Sequence, residues 1–95
     1  MKILHLTLKK KWFDMILSGE KKEEYREYKP YWRKRFVNHY THIKFRNGYS
    51  ASSPSFLCEL VSLQRGLGII EWGAPEKEAV YILKLGAITS KENIK

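Results

Sequence analysis

The spacing of apolar residues changes near residue 41, and no other feature constrains the fold of this chain as much. Before it, Trp12, Phe13, Ile16 and Leu17 fall on one face of a helix, and Tyr31, Trp32, Phe36, Val37 and Tyr40 are the apolar members of a second. Beyond it, His42-Ile43-Lys44-Phe45-Arg46 alternates as a strand does and runs into the turn pair Asn47-Gly48. Phe56 to Leu63 reads as a buried strand, and Ala79 to Leu85 carries the strongest strand pattern in the chain. Residues 2–7 alternate too and supply an opening strand. Thr7 is placed to cap a helix over 8–18, and Gly19 to stop it. Pro30 opens the second helix, Tyr31 to about Tyr40, with Arg33, Lys34 and Arg35 pointing outward. Ser50 to Ser55 reads as a polar loop, Gly66 and Gly68 mark another, and Gly73-Ala74-Pro75 marks a turn. Two early helices and about five short strands predict an α+β domain whose sheet curls into a small barrel. Residues 89–95 read as a frayed, solvated tail.

A chain of 95 residues has room for one core and one domain. No apolar run approaches the roughly 18 residues of a membrane span. The segment Met1 to Leu8 alternates and then meets Lys9, Lys10 and Lys11, the reverse of the charge order in a signal peptide. One cysteine, Cys58, excludes an internal disulfide and fits a reducing compartment. A cytoplasmic monomer is expected. Cys58 sits in the apolar run Phe56-Leu57-Cys58, which makes it a small core residue rather than a nucleophile. His39 and His42 are the only candidate metal pair and fall short of a zinc set, and Gly66-Leu67-Gly68 is not a phosphate loop. Neither a metal nor a cofactor is expected.

Charge is unevenly divided. Of 18 basic and 10 acidic residues, 13 and 5 lie in residues 1–49, so the whole net charge of +8 belongs to that half. The same half holds 10 of the 13 aromatic residues. Lysine and arginine track phosphates while aromatic faces stack on bases, so this pairing suits single-stranded nucleic acid. A solubilising surface above an aromatic core has the same composition. Lys9, Lys10 and Lys11 fall where the first helix begins, at the positive end of its macrodipole, a place suited to an anion.

The densest chemistry lies in Gly19-Glu20-Lys21-Lys22-Glu23-Glu24-Tyr25-Arg26. Local propensity over residues 20–28 favours a helix, while alternation permits a strand, and the pattern leaves both open. Lys21 and Arg26 offer two cations to a phosphate, and Glu24 offers a carboxylate that holds a water or reads an amino group. A lysine that is buried loses its proton more readily and can act as a base. The same residues on a solvated helix would form only surface pairs.

At this segment the chain resembles the ASCH domain family, whose hallmark is G-x-K-x-x-E-x-R, matched by Gly19, Lys21, Glu24 and Arg26. The order of other features is similar: an opening strand, a helix ending in Ser18-Gly19, the turn Arg46-Asn47-Gly48-Tyr49, and Trp72-Gly73 before a last strand through Tyr81. The resemblance spans residues 2 to about 88, with the motif its one sharply specific part. It implies a PUA-like curled barrel in residues 1–88, with Lys21 to Arg26 entering as a strand. It also implies a cleft between the first helix and the barrel suited to RNA or a nucleotide. Some members are accessory RNA- or DNA-binding modules, and others have been proposed to cleave RNA. A small bacterial branch removes an acyl group from a modified cytidine with the motif lysine, a threonine and a later glutamate. Here Glu24 stands in the threonine's place, a departure that counts against that amidohydrolase reading.

Three functions follow as expectations. In a binding module for RNA or single-stranded nucleic acid, Lys9, Lys10, Lys11 and Arg26 contact phosphates, with Arg46 beside them, and Lys21 and Glu24 read a base or ribose. Trp12, Tyr28, Trp32 or Tyr49 then stack on bases. In a hydrolase acting on RNA or a modified nucleoside, Lys21, Glu24 and Arg26 are the catalytic set. In a scaffold protein, Glu24 and Arg26 are only a buried structural pair.

Overall fold

The computed structural model describes residues 1–94. In chain order these form β1 (Ile3–Thr7), α1 (Lys10–Leu17), β2 (Glu23–Arg26), α2 (Pro30–Phe36), β3 (His42–Arg46), β4 (Ser55–Gly66), a 3-10 turn (Ile70–Trp72) and β5 (Val80–Glu92). The strands make one mixed sheet in the order β1-β3-β4-β5-β2, curled into a half-barrel, so the fold is α+β as the patterning predicts. β1 runs parallel to β3, and every other neighbouring pair is antiparallel.

Alternation decides which face of the sheet is dry. Leu4 and Leu6 of β1 stand opposite Ile43 and Phe45 of β3, and these stand opposite Cys58 and Phe56 of β4. All six are buried, whereas the intervening His5, His42 and Lys44 are not. Phe13 and Ile16 of α1 close the core from above, and the Phe56 ring lies 4.9 Å from Phe13 and 5.4 Å from Phe45. Each such side chain contributes about 1.5–3 kcal/mol through burial. A second, smaller cluster joins Tyr25, Ala74 and Val80, with Trp72 and Ile82 against it.

Several boundaries differ from the expectation. Thr7 does not cap α1, which begins at Lys10 with Lys9 in the N-cap position and no side-chain cap bond. Leu8 instead extends the strand, its amide donating to the Arg46 carbonyl at 2.8 Å. α2 stops at Phe36 rather than near Tyr40, because the chain must turn to bring Thr41 and His42 beside Lys2. β4 and β5 are long, 12 and 13 residues, and register shifts between Leu57 and Ser62 bend them. Residues 89–92 therefore belong to β5, where Ser90, Lys91 and Glu92 pair with Leu57, Phe56 and Ser55. The expected frayed tail is ordered strand there, held by a ladder that its polar sequence does not advertise. Lys95 lies outside the described residues.

Cys58 is a core residue, as its neighbours predict, and burial pushes its thiol up from 9.0 to about 11. The folded thiol stays protonated while the unfolded chain ionises, so stability is complete below pH 9 and declines as pH rises to about 11. The expected loss is about 2–3 kcal/mol over that window. Urea unfolding of the wild type and Cys58→Ala at pH 8 and pH 10.5 isolates the thiol. The difference between the two proteins must shrink at the higher pH, and a constant difference would refute the assignment.

Candidate nucleic-acid interface

The site begins with the end of α1. Ser18 closes the helix, and Gly19 turns the chain back in a left-handed conformation at φ 87°, which glycine adopts without strain. The Lys21 amide then donates to the Met15 carbonyl at 2.9 Å, which tucks Lys21 beneath the helix. From there Glu23 to Arg26 pairs with β5, Glu24 opposite Leu83 and Arg26 opposite Tyr81. The segment is thus a strand, and its register sends Glu24 and Arg26 to the face that carries Leu83 and Tyr81.

Lys21 is 2% exposed, an unusual state for a lysine. Its Nζ lies 3.2 Å from Glu24 Oε1 and donates to the Trp72 carbonyl oxygen. The rings of Tyr25 and Trp12 flank it at 4.7 and 5.0 Å. Burial lowers the proton affinity of this amine, and the Glu24 carboxylate opposes that fall. Glu24, also buried, offers its second oxygen Oε2 to Arg26 Nη2 at 2.8 Å. Lys21, Glu24 and Arg26 are therefore one charge chain, with the carboxylate bridging two cations.

Arg26 reaches outward from this chain. Its guanidinium lies 5.2 Å from the Trp32 ring centre. Its Nε and Nη2 are buried and make no hydrogen bond among the described residues, the Glu24 contact being close but poorly aligned. Buried donors without acceptors are uncommon in folded proteins.

These groups wall a cleft of about 300 Å³, where the end of β1 approaches β2. Thr7, Lys9, Glu24 and Arg26 line it together with Trp12 and Trp72. Gly73 lets the loop approach closely, since a Cβ there would lie 3.0 Å from the Trp12 indole, and its φ of 102° disfavours other residues. A second hollow of about 390 Å³ continues past Arg26 to Trp32 and Glu78. The cleft occupies the seam at which the half-barrel does not close.

Of the residues singled out by sequence, Lys9, Trp12, Glu24 and Arg26 share this cleft, with Lys21 directly behind it and Trp32 in the adjoining hollow. The three helix-start lysines diverge instead of converging. Lys10 pairs with Asp14 at 2.6 Å, and Lys11 lies 4.6 Å over Trp12. Arg46 and Tyr49 do not line the cleft, and Tyr49 is 90% exposed on its turn. Tyr28 stands on Tyr81 at 4.9 Å with the Arg65 guanidinium 4.1 Å over its ring, so its ring is already engaged. Sequence reasoning missed Thr7, Tyr25 and the Trp72 carbonyl as parts of the site. Tyr25 lies inside the motif, between Glu24 and Arg26, a signal that could have marked it as the ring beside Lys21. Its hydroxyl donates to Glu23 at 2.7 Å and accepts from the Ile69 amide at 2.9 Å, tying β2 to the loop that carries Trp72. Burial raises the pKa of this phenol and keeps it protonated.

No family model, curated protein or solved structure matches this chain. No helix among the described residues is long and apolar enough to cross a membrane.

Proposed function

We propose that this chain is an RNA- or nucleotide-binding domain of the ASCH type, with its ligand in the cleft between α1 and β2. The observation that carries the reading is Arg26 on the wall of a cleft lined by lysine and tryptophan: Nη2 faces Glu24, and the buried Nε makes no hydrogen bond among the described residues. A phosphate oxygen is the acceptor that a guanidinium takes best. Glu24 is held at both oxygens by cations, which fixes it to accept from a base amino group or a ribose hydroxyl. The +8 charge draws a polyanion to the surface.

A hydrolase acting on RNA or a modified nucleoside is the second reading, favoured by the lowered proton affinity of Lys21 beside Glu24. It asks the Lys21 amine to meet a substrate, yet that amine is enclosed by Trp12, Tyr25, Glu24 and the Trp72 carbonyl. Binding is the better supported of the two.

End-labelled single-stranded RNA on native and denaturing gels separates them. With phosphate contacts from Lys9 and Arg26, affinity is expected to fall about 7-fold or more between 50 and 200 mM salt, at about 0.7 in logarithmic slope per contact. The RNA should remain full length. Shortened product would establish the hydrolase, and no shift at 50 mM would end the binding reading.

A further inference from the structure

We propose that α2 and the distal part of β4 form a phosphate-tracking surface continuous with the cleft, so that the partner is a single-stranded polynucleotide and not a mononucleotide. The proposal rests on the reading of the cleft above and assigns its ligand class.

Sheet register supplies the first argument. Arg26 of β2 stands opposite Tyr81 of β5, and Tyr81 stands opposite Arg65 of β4. Residues in one cross-strand row share a face, so two arginines stand about 10 Å apart across one tyrosine, at about 4.8 Å per strand. The first of them walls the cleft. The second leads away from it.

Aromatic rings hold the arginines in place. Arg65 lies 4.1 Å over the Tyr28 ring and donates from Nη1 to its hydroxyl at 3.1 Å, while Arg33 lies 5.4 Å from the same ring. Arg35 lies 5.6 Å from Tyr31 and 5.7 Å from Trp32. A guanidinium stacked on a ring has its plane fixed and keeps its edge donors for a phosphate. Tyr28 therefore serves as a platform for arginine.

The charges are also uncompensated. Among the described residues, Arg33, Lys34, Arg35 and Arg65 make no ion pair, although Lys10, Lys29 and Lys44 each find a carboxylate. Basic residues in the last turn of α2 complement its dipole, but Arg65 comes from another element and has no such reason to be there. An anionic membrane surface would want an apolar face pointing outward. The Trp32 and Phe36 rings stack on each other and Phe36 meets Tyr81, while Tyr31, Val37 and Val61 are exposed, so the vesicle arm of the test decides against that source. Continuity with the cleft through Arg26 and Trp32 favours a strand of nucleic acid.

The test compares a 12-nucleotide single-stranded RNA with cytidine monophosphate. Variants are Arg33→Ala/Arg65→Ala, its charge-reversed form Arg33→Glu/Arg65→Glu, and Lys9→Ala at the cleft, each checked by far-UV circular dichroism. At about 5-fold per contact in 0.1 M salt, losing two contacts should weaken RNA binding about 25-fold and lower the salt slope by about 1.4. Monophosphate binding should not change in Arg33→Ala/Arg65→Ala. If both arginine pairs leave RNA affinity and slope intact while Lys9→Ala weakens them, the surface is refuted and the cleft reading stands. If the wild-type protein holds the monophosphate as tightly as the 12-mer, the polynucleotide assignment is refuted. Loss of binding to phosphatidylserine vesicles, with RNA binding intact, would overturn it in favour of a membrane. A wild-type protein that binds neither probe removes both readings.

Discussion

Lys21→Ala is expected to cost about 3–5 kcal/mol of folding stability, a large part of the roughly 5–15 kcal/mol available to a domain of this kind. The amine is buried with Glu24 Oε1 at 3.2 Å and the Trp72 carbonyl, so its removal leaves a buried carboxylate and a carbonyl without the cation they share. Arg26 alone cannot satisfy Glu24, because it already occupies the other oxygen. Urea denaturation followed by tryptophan fluorescence measures the loss, and a cost below about 1 kcal/mol would show that Lys21 is dispensable to the fold. Adding Glu24→Gln to Lys21→Met should cost less than the two singles summed, since the groups share one interaction. The pH dependence has a definite sign. Burial places the folded lysine below its unfolded value of 10.5, so between the two the unfolded chain holds more protons and stability rises with pH from this group. That trend opposes the thiol's, and Lys21→Met should lose stability more steeply above pH 9 than the wild type. Loss of RNA cleavage in Lys21→Ala, were it seen, would first have to be separated from unfolding.

Phe56→Ala is expected to be comparably damaging, about 3–5 kcal/mol, because it empties a site 1% exposed between two other rings. Phe56 is the contact through which β4 supports Phe13, and Phe13 neighbours Trp12 on α1. On the proposed reading, the same change should also weaken RNA binding even where the domain remains folded. Val61→Ala, on the same strand but 63% exposed, is the control and should stay within about 0.5 kcal/mol of wild type. Equal thermal unfolding of the two variants would contradict the core assignment.

The sequence is legible where a side chain's environment depends on near neighbours. The alternation of β1 and β3 and the apolar face of α1 state which residues are buried, and Gly19 states where the helix stops. The strand nature of residues 23–26 is not stated locally, since glutamate, lysine and arginine favour a helix. Pairing with β5, some sixty residues on, overrides that preference. Distance also hid the Trp72 carbonyl and the association of Arg65 with Tyr28, which join elements that no short-range pattern connects. The ordered end of β5 was invisible for a related reason: Thr89, Ser90 and Lys91 are polar, and their order comes from the β4 ladder.

The edge position of β2 also matters while the chain is being made. Its sheet partner, β5, comes after the other four strands in chain order, with Glu23 opposite Lys84 and Arg26 opposite Tyr81. On the ribosome, α1, β1, β3 and β4 can emerge and associate before any partner for β2 exists. Lys21 and Glu24 stay hydrated through that interval, and their charges keep an unpaired edge strand from meeting another nascent chain. The Lys21–Glu24 pair thus becomes buried only when β5 arrives to pair with β2.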